Sequence, residues 1–206
     1  MADAMMARSC ADFADALAAK SSVPGGGGAA AYVGALAVAL GNMTGNFTIG
    51  KKAYAHYEDD VRRLISEGDA IRARLVELVE EDAAAFDPLS RAYGVAADDP
   101  MRDELLESAT KDALQPPLET MRCVARTVEL LEEMAEKGSR MLLSDVGCGA
   151  ALASGALRAA SMNVLVNVKG LRDRDLAERV SSECDELLEY VARADAVAAA
   201  VSAALR

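Results

Sequence analysis

Tryptophan is absent from this 206-residue chain, and aromatic residues of all kinds make up only 4% of it. A single histidine, His56, and four scattered cysteines without a C-x-x-C pair leave no zinc-ligand spacing. Cys10, Cys123, Cys148 and Cys184 therefore read as reduced thiols rather than a disulfide framework, and no metal site is expected. Basic residues are also scarce: 22 against 33 acidic ones give a formal charge of −11, which disfavours a nucleic-acid partner. The N-terminus lacks a basic region followed by an apolar run, so no signal peptide is expected and the reading is cytoplasmic. No linker or charge block divides the chain, so residues 1–206 are read as one domain.

Hydrophobic residues nevertheless make up 52% of the composition, most of them small or aliphatic. That composition suits closely packed helices. Ser9 and Asp12 resemble a capping box for a helix from Cys10 to about Lys20. Ala29 to Gly50 carries no charge, long enough to span a bilayer, but Asn42, Thr44, Asn46 and Thr48 interrupt it. A buried helix from about Gly28 to Thr48 explains it better than a membrane segment. Three-and-four apolar spacing predicts a helix from about Tyr54 to Tyr93, kinked at Pro88. A helix over Met101–Leu114 is expected to stop at Pro116–Pro117, with another running from there to Gly138. A nearly uncharged helix over Arg140–Val166 and a last one over Arg172–Ala204 complete the pattern. The expected architecture is all-α: a single-domain bundle of long antiparallel helices, two of them central or facing a second subunit.

Three places carry candidate chemistry. Pro24-Gly25-Gly26-Gly27-Gly28 opens a helix, where free N–H groups and the positive dipole end favour anions. Without a preceding strand or a Gly-Lys-Ser/Thr ending it reads equally as a loose start that lets two helices touch. Asp82 falls in register with Leu75, Leu78, Phe86 and Leu89 on one helix face, whereas Glu80 and Glu81 do not. A carboxylate in an apolar stripe must be paired or functional, and desolvation would raise its pKa into the useful range of a general acid or base. Asp145 is separated from Arg158 by thirteen residues, roughly 20 Å of helix, so it needs a ligand or a partner on another element, or reads as a helix N-terminal charge favoured by the dipole. His56 reads as a surface residue.

Taken together, Val23–Ala29, Asn46–Lys52, Glu81-Asp82-Ala-Ala-Ala-Phe86, Glu136–Gly138, Ser144-Asp145-Val-Gly147 and Asn163-Val-Leu-Val-Asn167 resemble the cyclodeaminase/cyclohydrolase family. That family includes the C-terminal domain of formiminotransferase-cyclodeaminase and free-standing methenyltetrahydrofolate cyclohydrolases. The resemblance implies an all-helical homodimer with a folate cleft at the glycine turn and no metal or redox cofactor. It implies Asp82 and Asp145 as catalytic residues, and Lys51 and Lys52 as partners of the folate glutamate. Phe86, Ser144, Asn163, Asn167 and Pro24 to Gly28 complete the implied substrate contacts. The expected reaction is hydrolysis of 5,10-methenyltetrahydrofolate to 10-formyltetrahydrofolate. Ammonia release from formiminotetrahydrofolate is the alternative, and a non-catalytic folate-binding or dimer-forming protein is a third. Four glycines followed by alanine resemble the free-standing cyclohydrolases, since many cyclodeaminases carry serine after three glycines. Pro88 is unusual at its position in the family pattern.

Overall fold

The computed structural model describes residues 5–206. Ser9 accepts the Asp12 N–H while the Asp12 carboxylate takes the Ser9 N–H, and this reciprocal cap starts the short helix α1 (Cys10–Ala18). Five long helices follow: α2 (Gly26–Asn46), α3 (Glu58–Tyr93), α4 (Arg102–Lys137), α5 (Leu143–Gly170) and α6 (Arg174–Ala204). The six residues Lys52–Tyr57 form a tighter 3-10 turn, so α3 begins later than the apolar spacing suggests, with Glu58, Asp59 and Asp60 at its positive end. No strand occurs among the described residues.

Charge-free α2 and charge-poor α5, whose charges are Asp145, Arg158 and Lys169, lie side by side and antiparallel. Their close approach depends on Gly149, where a Cβ would stand 2.9 Å from the Ala37 carbonyl. Both helices are long and apolar enough to cross a membrane, yet about half of each such window is buried within the bundle. Helix α4 packs against α2, α3, α5 and α6, and its Leu114, Met121, Val124, Val128 and Leu131 fill the core. Pairs between α4 and α6 repeat at one offset, Arg122–Glu183, Glu129–Tyr190 and Glu132–Arg193, so those two helices run parallel. Helices α2 and α4 also run parallel, Gly34 lying on Val124, Gly41 on Leu131 and Gly45 on Met134, whereas α2–α3, α3–α4 and α4–α5 are antiparallel. Arg63 and Arg126 tie α3 to α4 through Glu133 and Glu67. These half-exposed pairs contribute less than about 1 kcal/mol each, and packing holds the bundle.

One boundary expectation fails. Pro116 and Pro117 do not divide two helices; α4 runs through them from Arg102 to Lys137. Pro117 withholds the N–H that the Ala113 carbonyl would accept, and the side chain of Asn167 on α5 supplies the missing donor at 3.1 Å. A partner fifty-four residues away therefore satisfies what the local sequence leaves open. Pro88 likewise lies inside α3 without ending it.

Candidate functional site

The first turn of α2 has no side-chain cap, because its N-cap is Gly25. Helix α3 supplies the substitute. The Asp82 carboxylate accepts the Gly28 N–H at 2.8 Å, so a side chain from another element occupies the positive end of α2. The approach requires glycine: a Cβ on Gly27 would stand 2.1 Å from the Asp82 Oδ1. Leu75, Leu78 and Leu89 of the same stripe are fully in the core, while Asp82 and Phe86 sit half-buried at its edge. Burial pushes the Asp82 carboxyl above its ordinary 3.8, with the Gly28 N–H pulling the other way. No cation pairs with Asp82 among the described residues. Its neighbour Glu81 behaves differently, held by the Nη1 and Nη2 groups of Arg74, which lowers its pKa.

Asp82 faces a cavity of about 250 Å³ lined by Ser22, Val23, Gly25, Gly26, Gly27, Phe86, Ala113, Asn163, Val166 and Asn167. Within the expected glycine run, Gly25 to Gly27 line the space; Gly28 is buried and bonds Asp82, and Pro24 is buried behind a cis Val23–Pro24 peptide. The amide of Asn163 lies over Gly26, 3.4 Å from where a Cβ would be. The N–H groups of Gly26 and Gly27 have no acceptor among the described residues. Ser22, Val23, Ala113 and Val166 do not stand out in the sequence; three are small or aliphatic, and a lone serine belongs to no motif. A hollow of about 310 Å³ between Pro88 and Leu105 near the α3–α4 tip is larger, but among the described residues its titratable lining is Arg91 and Asp112, both exposed.

The remaining expected residues lie elsewhere. Lys51 donates to the Ser139 hydroxyl at 2.9 Å, and the Ser139 N–H in turn donates to Thr48. Lys52 is exposed in the 3-10 turn, Ser144 is exposed, and Asp145 is half-buried in the first turn of α5. Asp145 has no ion-pair partner among the described residues, and Arg158 pairs instead with Asp195 of α6. Eighteen residues of α5 separate Asp145 from Asn163, roughly 27 Å of helix, so the two groups line opposite ends of the α2–α5 pair. His56 is exposed and packs on Tyr57. Among the described residues no group of His, Cys, Asp and Glu is placed to hold a metal ion.

The family model for formiminotransferase-cyclodeaminase matches residues 9–186. A methenyltetrahydrofolate cyclohydrolase from Methylorubrum extorquens is 38% identical over 180 residues, covering 85% of this chain and 86% of that one. The formimidoyltransferase-cyclodeaminase of Rattus norvegicus is 32% identical over 86% of this chain, which spans only 34% of that longer protein. The crystal structure of a formiminotetrahydrofolate cyclodeaminase from Thermotoga maritima superposes with a TM-score of 0.89 at 28% identity, covering 97% of this chain and 98% of that one. The glycine turn, its trans-capping aspartate and these matches converge, and the chain belongs to the formiminotransferase-cyclodeaminase family.

Proposed function

We propose that this protein is a methenyltetrahydrofolate cyclohydrolase, converting 5,10-methenyltetrahydrofolate and water to 10-formyltetrahydrofolate. One observation carries the reading: Asp82 is a desolvated carboxylate in a cavity, with no cation beside it among the described residues. The substrate brings that cation, since its methenyl carbon bridges N5 and N10 as an amidinium. Asp82 in its ionised form stabilises the positive charge, orients water and takes a proton as the water oxygen bonds to the methenyl carbon. The C–N5 bond then breaks as the new hydroxyl becomes the formyl C=O and releases its own proton to solvent, the proton held by Asp82 is returned to N5, and the formyl group stays on N10. Water, one proton relay and the substrate's own charge suffice, so no metal or redox cofactor enters the scheme. The cyclohydrolase similarity across most of both chains supports this substrate.

The reading extends to assembly. Leu36 on α2 and Met162 on α5 are 42% and 65% exposed, and Phe47 and Met141 at the same helices' ends are also bare. A second copy packed antiparallel on this charge-poor face, about a two-fold axis, brings the Lys51 and Asp145 end of one chain towards the glycine turn of the other. That arrangement accounts for site residues split between the ends of one helix pair, with Lys51 and Lys52 meeting the substrate's glutamate carboxylates. The protein so described is a cytoplasmic homodimer acting on a small folate, with neither nucleic acid nor membrane as partner.

The likeness to cyclodeaminases supports a second reading, release of ammonia from formiminotetrahydrofolate. Following the loss of the methenyl chromophore beside ammonia release from the formimino substrate separates the two. Turnover of the first alone is expected. Ammonia release alone reverses the assignment, and turnover of neither leaves a folate-binding or dimer-forming protein.

A further inference from the structure

Two asparagines line the cavity one helical turn apart on α5, and each has its amide nitrogen committed to a backbone carbonyl. Asn163 Nδ2 donates to Ala159 of its own helix at 2.9 Å. Asn167 Nδ2 donates across to Ala113 of α4 at 3.1 Å. That carbonyl is free because the residue four positions on is Pro117, which has no N–H to give. The orientation of the Asn167 amide follows from chemistry: turned over, its own oxygen would face the Ala113 oxygen and repel it. With Nδ2 so engaged, Oδ1 is the polar atom left for the cavity, and it accepts nothing from the described residues. Asn163 is fixed in the same sense. Asn163, Asn167 and Asp82 therefore present acceptors to the cavity, beside the N–H groups of Gly26 and Gly27 in the glycine turn, which are unpaired among the described residues.

We propose that Pro117, which lies outside the cavity, is a positioning residue: by leaving the Ala113 carbonyl to Asn167 it holds the Asn167 oxygen as a fixed acceptor for an N–H-bearing edge of the ligand. The ligand class rests on the functional reading above, because the amidinium and aminopyrimidinone parts of a methenyltetrahydrofolate carry positive charge and N–H donors. The clamp itself does not rest on it. Pro117→Ala returns an N–H to α4, lets the Ala113 carbonyl close its ordinary helical bond, and releases the Asn167 side chain to rotate without touching the cavity wall.

The test uses the full chain with Pro117→Ala, Asn167→Ala and the double variant, measuring melting temperature, KM, kcat and calorimetric binding of tetrahydrofolate. Side-chain amide proton exchange at Asn167 is followed by NMR without ligand. Expected results are faster amide exchange in Pro117→Ala, a KM and a dissociation constant raised about two- to tenfold by the freed side chain, and a nearly unchanged kcat. Asn167→Ala should lower both melting temperature and affinity, and adding Pro117→Ala should restore the melting temperature but not the affinity. If the double variant recovers both, Asn167 only satisfies the carbonyl and the proposal falls. Equal amide exchange in the wild type and Pro117→Ala overturns the clamp irrespective of any ligand. Should Pro117→Ala not fold, Asn167→Asp reads the same link, since it keeps the acceptor and loses the donor: an unchanged melting temperature there refutes the bond. A wild type with a protected Asn167 amide but no folate affinity overturns the functional reading and the ligand role of Oδ1.

Discussion

Replacing Asp82 by asparagine should move stability and activity in opposite directions. Asparagine caps a helix as well as aspartate does, and its Oδ1 can still accept the Gly28 N–H that Asp82 accepts at 2.8 Å. The change removes a charge that burial disfavours. Because burial raises the folded-state pKa above 3.8, the native protein holds this proton more tightly than the unfolded chain. Wild-type stability therefore declines as pH rises from about 3.8 through the folded-state value, and stays lowered above it, by about 1.4 kcal/mol for each pH unit that separates the folded and unfolded pKa. Asp82→Asn lacks that loss. Its melting temperature should match or exceed the wild type's at neutral pH, and the difference should shrink in acid.

Activity should respond in the other sense. A general base contributes about 10²–10⁴-fold, or about 2.7–5.4 kcal/mol of barrier, so kcat for methenyl hydrolysis should fall by that factor while folate binding persists. Wild-type kcat/KM, which reports the free enzyme, should itself fall in acid as Asp82 takes up its proton, with a midpoint above 3.8. Glu81→Gln is the matched control: Glu81 is turned outward onto Arg74, and losing that pair costs about 1 kcal/mol or less and little activity. A well-folded Asp82→Asn protein with near-normal turnover would refute the assignment and pass the proton relay to Asp145 or to water alone. A variant that unfolds would make Asp82 a structural cap.

Gly27→Ala places a Cβ 2.1 Å from the Asp82 oxygen, so kcat should fall by at least tenfold while overpacking of about 1–3 kcal/mol is partly offset by alanine's helix preference; unchanged kinetics would mean the carboxylate need not sit there. Alanine at both Lys51 and Lys52 should raise KM for a polyglutamylated folate more than it lowers kcat, with the difference narrowing in high salt; an unchanged KM leaves Lys51 only its bond to Ser139. Glutamate at both Leu36 and Met162, exposed and outside the cavity lining, should shift the protein from dimer to monomer by light scattering, and a wild type that is a fully active monomer at low concentration would remove the two-chain arrangement.

Where a reading depends on which residues share one face of a helix, it transfers to the fold, although the start of α3 does not. The Leu75–Leu89 stripe is one buried face, and its single carboxylate is the one that meets the glycine turn. The capping box at Ser9, the charge-poor core helices and the outward Glu81 follow from period and local chemistry in the same way. Contacts across the bundle leave no such trace in the chain. Nothing near Pro116–Pro117 in sequence announces that Asn167 will take up the released carbonyl, so the dipeptide reads as a break. Nothing near Lys51 announces Ser139. For Asp145 the spacing excludes Arg158 as a partner along the helix but gives no replacement, and no ion pair to Asp145 forms among the described residues.

These limits have a common physical source. A proline, a glycine or a lone charge states only what is missing locally: a donor, a Cβ or a counter-ion. Which neighbour supplies it is decided when helices pack. At this site the supplies interlock. Gly27 has no Cβ, so Asp82 can approach; Asp82 replaces the cap that Gly25 cannot provide; Pro117 lacks an N–H, so Asn167 turns its nitrogen to Ala113. Each local deficiency lowers the stability of its own helix, by about 1 kcal/mol for an interior glycine and more for a proline. Each is compensated from the cavity side by a polar group whose orientation is thereby fixed. A cavity built from such exchanges holds its acceptors in place before any ligand arrives. That preorganisation is what an enzyme needs when the substrate, rather than the protein, carries the positive charge.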